Sequence, residues 1–238
     1  DLRYFIETMG CQMNVADSER MEAQLQELGY LKTANATEAH MVVINTCAIR
    51  DHAEQKVYSH IGPHAARRRR GDDVSILVTG CVAQQEGEHI LKRFPEVDAV
   101  MGPQYSNRVM EIVPLVREGH QLVATDPAYQ SEDSLAPLRR SDITAYVNVI
   151  YGCNERCTYC VVPNTRGVEQ SRTKDAILEE VRALVQENYK EVTLLGQNID
   201  AWGKDMNPKQ RFADLLIAVA KVPGIQRVRF LTSHPKYV

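Results

Sequence analysis

No stretch of this chain reaches the roughly 18 consecutive apolar residues that a membrane-spanning helix needs. The N-terminus, DLRYFIETMGC, has no basic segment followed by an apolar run, so no secretory leader is written there. It also lacks an initiator Met, which fits a chain whose true start lies upstream. An excess of one charge is missing too. The 28 basic and 31 acidic side chains leave a net charge of −3. That balance excludes a generic nucleic-acid-coating protein but leaves room for a local RNA site. Up to residue 140 there are 15 basic and 20 acidic residues, and beyond it 13 and 11, so any basic bias lies in the second part. What remains is an ordinary globular composition, 44% hydrophobic and 25% charged, over a length that suits one or two domains with cores of their own.

Six cysteines are present: Cys11, Cys47, Cys81, Cys153, Cys157 and Cys160. Three disulfides would suit a small secreted domain. A chain of this length with no export signal belongs in a reducing cytoplasm, where clustered cysteines bind metal or do redox chemistry.

The first part alternates apolar runs with helical spacing. Arg3–Thr8 reads as a strand, and Asp17 and Ser18 read as caps for a helix carrying Met21, Leu25 and Leu28. Met41–Asn45 reads as a strand buried on both faces, followed by a helix with Ala53, Val57 and Ile61 on one side. Val74–Thr79 is a third strand. A helix around Gln84–Arg93, a weak strand at Val97–Met101 and a helix over Val109–Val116 follow. Such alternation predicts a parallel sheet with crossover helices, a Rossmann-like domain over residues 1–118. Residues 119–142, with Asp126-Pro127, a polar QSED run, Pro137 and Arg139-Arg140, read as a linker. A second βαβαβ unit spans 143–238. Its strands are Ile143–Tyr151, Glu191–Gly196 and Arg227–Thr232, and its helices are Asp175–Asn188 and Arg211–Val222. The one charge run, Arg67–Arg70, reads as the solvated end of a surface helix, with RNA phosphate contact as the alternative.

Cys11, Cys47 and Cys81 each follow one of the first three strands, in TMGC, VVINTC and LVTGC. Parallel strands end on one edge, and open α/β sheets bind ligands there. The spacings of 36 and 34 residues are one βα unit each, so topology brings together thiols far apart in sequence. Buried apolar cysteines are the plain alternative. Each thiol, however, stands beside a Gly or a polar residue in a strand-to-helix turn, which favours a shared metal site. Three thiolates on a [4Fe–4S] cluster leave one iron open, and three on zinc leave one position for water. The residues alone do not choose between these.

Cys153, Cys157 and Cys160 lie in YGCNERCTYCVVPNTRG, directly after the first strand of the second unit. The spacing is neither that of paired CxxC zinc sites nor that of a ferredoxin run with its fourth cysteine. It resembles the radical S-adenosylmethionine (SAM) superfamily. The resemblance implies a [4Fe–4S] cluster whose open iron chelates SAM, and reductive release of a radical able to break an unactivated C–H bond. It further implies that Tyr159 lies against the adenine. Where the superfamily carries a Gly-Gly-Glu-like segment, this chain has Gly196-Gln197-Asn198, so the Glu role does not transfer. Gly196 and Gln197 remain candidates for the methionine end of SAM.

A three-cysteine α/β domain joined to a radical SAM half is similar to the methylthiotransferases. Gly10-Cys11-Gln12-Met13-Asn14, Asp17-Ser18-Glu19, Asn45-Thr46-Cys47-Ala48-Ile49-Arg50 and Ala53-Glu54-Gln55-Lys56 resemble the MiaB-type tRNA family, as do Arg166–Arg172 and Thr232-Ser233-His234-Pro235. The ribosomal-protein branch typically reads Gly-Cys-Pro-Lys-Asn at the first site. The implied activity is methylthiolation of position 2 of an N6-isopentenylated adenosine beside the tRNA anticodon. It would use two [4Fe–4S] clusters and SAM, one cluster on Cys11, Cys47 and Cys81 and the other on Cys153, Cys157 and Cys160. Arg166 and Arg172 are candidates for SAM's carboxylate or for RNA phosphate, and pairing with Glu169 is their plain role. Implied partners are the anticodon stem-loop and proteins that donate electrons and sulfur. A ribosomal-protein substrate and a non-catalytic zinc or cluster module are the competing readings. A family barrel has further strands and an RNA-binding TRAM domain. The chain is therefore expected to be an N-terminal fragment that stops about three strands into the (β/α) barrel.

Overall fold

The apolar runs of the first part pair side by side, all in parallel. Its strands are β1 (Arg3–Thr8), β2 (Leu31–Lys32), β3 (Met41–Thr46), β4 (Ser75–Gly80), β5 (Ala99–Met101) and β6 (Leu122–Ala124). They form one sheet in the order β2-β1-β3-β4-β5-β6. The helices are α1 (Gln12–Glu27), α2 (Ala53–Arg69), α3 (Cys81–Glu86), α4 (Glu88–Arg93) and α5 (Val109–Arg117). This computed structural model describes residues 1–48, 53–130 and 132–237, with the side chains of 53 and 54 outside that description.

Alternation along each strand divides the core. Met41, Val43, Leu77, Ala99 and Met101 pack against Met21 and Leu25 of α1 and Val109, Ile112 and Val116 of α5. Val42, Ile44, Ile76, Val78 and Val100 pack on the other face against Val57, Ile61 and Ala65 of α2 and Ile90 of α4. A strand whose both faces meet helices must be apolar throughout, which is why β3 and β4 carry such continuous runs.

Three local expectations in the first part of the chain need correction. Asp17 and Ser18 do not cap α1: Cys11 is the N-cap, and both residues lie inside the helix, buried. Their polar atoms are satisfied there. Ser18 Oγ lies 2.8 Å from Thr8 Oγ1 and accepts from Asn45 Nδ2 at 3.0 Å, while Asp17 pairs with Arg20. The helix expected over Gln84–Arg93 is two short ones that meet at Gly87. Residues 119–142 are not a free linker. Leu122–Ala124 is the sixth strand, pairing with β5, and the stretch after it lies on α1. There Leu138 N–H donates to the Glu19 carbonyl at 3.0 Å and Arg20 reaches Asp133 at 2.6 Å. The first unit therefore runs from Asp1 to Leu138, and the second begins at Arg139.

The second unit contains β7 (Thr144–Asn148), β8 (Ile150–Tyr151), α6 (Val162–Arg166), β9 (Gln170–Ser171), α7 (Lys174–Gln186), β10 (Glu191–Leu195), α8 (Phe212–Ala220) and β11 (Arg227–Phe230). β7, β10 and β11 form an open parallel sheet in the order β11-β10-β7. The single strand expected over Ile143–Tyr151 divides at Val149, and β8 turns away to pair antiparallel with β9. Both α7 and α8 pack on one face of this sheet. Ile177, Val181, Leu215 and Val219 meet Ala145, Val147, Val192 and Leu194 there. The first unit is thus wound on both faces and the second on one, as a segment of a (β/α) barrel is. Among the described residues no helix is long and apolar enough to cross a membrane.

A buried ion group locks the second unit. Glu180 of α7 accepts from Arg139 at 2.6 Å and from Arg172 at 2.7 Å, and Arg172 also donates to the Asn148 carbonyl. The indole of Trp202, the chain's one tryptophan, donates to the Arg172 carbonyl at 2.9 Å. Removing the shared carboxylate leaves two buried guanidinium groups without it, a loss of about 3–5 kcal/mol. Glu180→Ala is expected to lower the unfolding free energy by that amount, read as a shift of the urea midpoint followed by Trp202 fluorescence. An unchanged midpoint would show that the ion group does not hold the unit.

Candidate metal centres at two sheet edges

In the first sheet, Thr8 is in register with Asn45 and Thr46 with Gly80, so β1, β3 and β4 end nearly level. Cys11, Cys47 and Cys81 follow within three residues of those ends, on three adjoining turns. The strand order also reverses here, since β2 lies on one side of β1 and β3 on the other. The crevice at such a reversal is where open α/β sheets take ligands, and Cys11 and Cys47 flank it.

The turns approach one another too closely for side chains between them. A Cβ on Gly10 (φ +98°) would stand less than 3.0 Å from the Cβ and Sγ of Cys47. A Cβ on Gly80 (φ +93°) would stand less than 3.0 Å from the backbone of Thr46. Buried polar side chains hold the approach. Asn14 Nδ2 donates to the Met9 and Thr46 carbonyls, each at 2.8 Å. Asn45 Nδ2 donates to the Asn14 carbonyl at 2.9 Å. Thr46 Oγ1 donates to the Thr79 carbonyl at 2.6 Å and accepts from the N–H groups of Val82 and Ala83. Asn14, Asn45 and Thr46 therefore fasten all three turns. They belong to the motifs quoted above, yet spacing gave no hint of this role. Ile49 and Arg50 of the second motif, and the side chains of Ala53 and Glu54, lie outside the described residues.

The second edge is built differently. Cys153, Cys157 and Cys160 share one loop after β8. Cys153 N–H donates to the Gly167 carbonyl and Cys160 N–H to the Cys157 carbonyl, each at 3.0 Å. Glu169 accepts from Asn154 N–H at 3.2 Å. Burial pushes the Cys153 thiol up, and the carboxylates of Glu169 and Glu155 push the same way, against a hydrogen bond from the Glu155 backbone. At the end of β10, whose Leu195 is in register with Asn148, stand Gln197 and Asn198. Gln197 Nε2 and both amide atoms of Asn198, a residue only 2% exposed, are buried without hydrogen-bond partners. Each such group costs about 1–3 kcal/mol, so this edge holds unused polar capacity beside the thiol loop. Asn198 was not among the expected site residues, although it directly follows Gln197.

The remaining candidates divide. Tyr159 is 89% exposed. Gly196 gives its missing Cβ position to the Ile150 side chain, which is a packing role. Arg166 ends α6, half-buried. Arg172 is buried and pairs with Glu180 rather than with Glu169. The Arg67–Arg70 run closes α2, with Arg67 buried and Arg69 and Arg70 largely exposed. Arg67 donates to the Ala36 and Ala39 carbonyls, Arg68 pairs with Asp98, Arg69 with Glu96, and Arg70 lies 3.9 Å from Asp72. Among the described residues no three His, Cys, Asp or Glu side chains gather closely enough to hold a single metal ion.

Residues 3–102 match the family described as "Uncharacterized protein family UPF0004", and residues 147–237 match the radical SAM superfamily. Two solved structures of the radical S-adenosylmethionine methyltransferase TsrM from Kitasatospora setae are similar. One has tryptophan substrate and the SAM analogue aza-SAM bound, at a TM-score of 0.53. The other has cobalamin and a [4Fe-4S] cluster bound, at a TM-score of 0.54. In both comparisons the identity is 12%, with 84% of this chain and 48% of that chain covered, so the likeness is one of fold. The chain spans about half the length of the structures it resembles.

The crowding at Gly10 can be separated from its backbone conformation. Gly71 has a similar φ, +92°, with nothing within 4 Å of an added Cβ. Gly71→Ala is expected to cost only the left-handed strain, about 1 kcal/mol. Gly10→Ala should cost about 2 kcal/mol more, because Cys47 must shift. Guanidinium unfolding of the two variants measures the difference, and equal losses would contradict the close approach.

Proposed function

With a UPF0004 domain followed by a radical SAM domain as the premise, we propose that the protein is a radical SAM methylthiotransferase acting on tRNA. It would place a methylthio group at position 2 of an N6-isopentenylated adenosine beside the anticodon. The observation that carries the proposal is the presence of two separate three-thiol sets, one at the strand-end edge of each unit. Three thiolates leave one iron of a [4Fe–4S] cluster open, and with SAM bound there the cluster supplies the one-electron cleavage that removes hydrogen from an unactivated carbon.

The chain's own residues divide the remaining work. Cys153, Cys157 and Cys160 hold one cluster. The unpartnered Nε2 of Gln197 and Nδ2 of Asn198 are candidates to donate to the carboxylate of SAM's methionine end, and Oδ1 of Asn198 to accept from its amino group, in place of the absent Glu. Cys11, Cys47 and Cys81 would hold a second cluster, which would supply the site for the sulfur to be inserted. The target base leaves the stack of a single-stranded loop at a cost of a few kcal/mol. Phosphate contacts fix the loop's register, with Arg166 as the candidate in this chain. Electron- and sulfur-donating proteins complete the cycle in the cytoplasm. The tRNA assignment draws support from Gln12-Met13 and the Ala53–Lys56 motif, which differ from the ribosomal-protein branch.

Two measurements test this reading. Protein reconstituted anaerobically with iron and sulfide should be brown, and replacing Cys153, Cys157 and Cys160 by Ala should remove about half the iron, because each set holds its own cluster. Loss of all the iron would indicate one shared site, and a colourless zinc protein would support a non-catalytic module. Reconstituted protein with SAM and a reductant is then offered isopentenylated tRNA, unmodified tRNA and ribosomal protein. Methylthiolation of the isopentenylated tRNA is expected. Product on the ribosomal protein alone would reject the RNA substrate, and product on unmodified tRNA alone would keep the class and reject the named nucleoside.

A further inference from the structure

We propose that His234 donates a hydrogen bond from Nε2–H to the sulfur of Cys157 and thereby raises the reduction potential of the cluster held by Cys153, Cys157 and Cys160. The inference rests on the cluster reading above and assigns a role to the Thr232–Pro235 motif, which that reading leaves unused.

His234 Nε2 lies 3.5 Å from Cys157 Sγ. The other ring nitrogen fixes the tautomer. Nδ1 accepts from the Lys236 backbone N–H at 3.2 Å, so in the neutral ring the proton is on Nε2 and faces the sulfur. The residue is anchored as well. Its backbone N–H donates to Asp200 at 3.0 Å, and the Thr232 carbonyl accepts from Ile199 N–H at 3.0 Å. Both partners lie just past β10, so the turn after β11 is tied to its neighbour at the same sheet edge.

A second connection fixes the turn to the cysteine loop itself. Glu155, between Cys153 and Cys157, accepts from Lys236 Nζ at 3.0 Å and from the Tyr237 hydroxyl. Lys204 Nζ in turn stands 2.8 Å from the centre of the Tyr237 ring. The imidazole thus approaches Cys157 from a segment fastened both to the sheet edge and to the loop that carries the sulfur.

A ligated thiolate has lone pairs and no proton, so it can only accept. A donor on it stabilises the more negative, reduced form of the cluster, and hydrogen bonds to the sulfurs are among the factors that set such potentials. Removing the donor therefore shifts the midpoint to more negative potential and makes the first electron harder to deliver.

The test uses protein in which Cys11, Cys47 and Cys81 are replaced by Ala, reconstituted anaerobically with iron and sulfide and titrated potentiometrically by EPR. His234→Leu should shift the midpoint to more negative potential. His234→Gln, whose amide can donate, should recover most of the shift. The unsubstituted six-cysteine protein labelled with ¹⁵N-histidine gives a second readout. Pulsed EPR of its reduced cluster should show a weak nitrogen coupling that is absent in labelled His234→Gln. Equal midpoints in all three forms would overturn the inference, as would a strong coupling of the kind a directly coordinated imidazole gives. Should His234→Leu take up no iron, the coupling in the six-cysteine protein decides. A six-cysteine protein that takes up no iron would overturn the cluster reading itself and the inference with it.

Discussion

At the ends of β1, β3 and β4 the turns come too close together to leave room for a side chain at residue 10, which faces Cβ and Sγ of Cys47, or at residue 80, which faces the Thr46 backbone. The first unit's candidate site depends on this approach. Parallel register makes the three strands end nearly level, and each turn into the following segment starts at once, so the first side chains past the ends share one edge. Close packing of turns leaves backbone carbonyls and N–H groups without water, and they must find partners inside the protein. Asn14, Asn45 and Thr46 supply those partners with buried side chains. Cys11 and Cys47 are partly exposed at this fastened floor, and Cys81 is buried in it. Gly10 and Gly80 are cheap in the folded chain only because this approach requires them.

The second unit presents its three thiols by another route. They lie within one eight-residue stretch, 153–160, so the loop assembles locally and needs no distant strand to bring its sulfurs near one another. What such a loop lacks is rigidity, and neighbouring strands supply it. Gly167 and Glu169 hold it on one side, and the turn after β11 grips Glu155 on the other. Past the ends of β8, β10 and β11 come the cysteine loop, the Gln197–Asn198 amides and His234, which the hydrogen bonds of His234 and Glu155 tie together.

Much of this was legible in the residues. Runs such as Met41–Asn45 and Val74–Thr79 announce strands because both their faces meet helices, and the cysteines after them are fixed by topology alone. What failed to show was of two kinds. Asp17 and Ser18 look like caps because short polar side chains usually sit at helix starts. Here their partners, Arg20, Thr8 and Asn45, come from the same helix or from strand ends that spacing does not connect to them. The edge strand Leu122–Ala124 is only three residues long and half-buried, too short for a period to appear, so the polar stretch after it disguised the whole segment as a linker. The contact of His234 with Cys157 joins residues 77 apart through a sheet edge, and no local pattern carries it.

Charge shows the same gap between pattern and surface. Four consecutive arginines read as the solvated end of a helix, yet they do not share one environment: Arg67 is buried on two backbone carbonyls and Arg68 pairs with Asp98, while Arg69 and Arg70 stay largely exposed. Burial pushes the Asp98 carboxyl up even with Arg68 upon it. The motif offered in support of a tRNA substrate is divided in the same way. Met13 and Asn14 are buried, and Asn14 fastens the Met9 and Thr46 carbonyls, whereas Gln12, at the start of α1 beside Cys11, is exposed. Asn14 also stands in the Gly-Cys-Pro-Lys-Asn pattern, so it cannot separate the two. Of the two positions that differ, Met13 lies inside the floor and can act only through the shape of the edge, which leaves Gln12 as the side chain placed to meet a substrate directly.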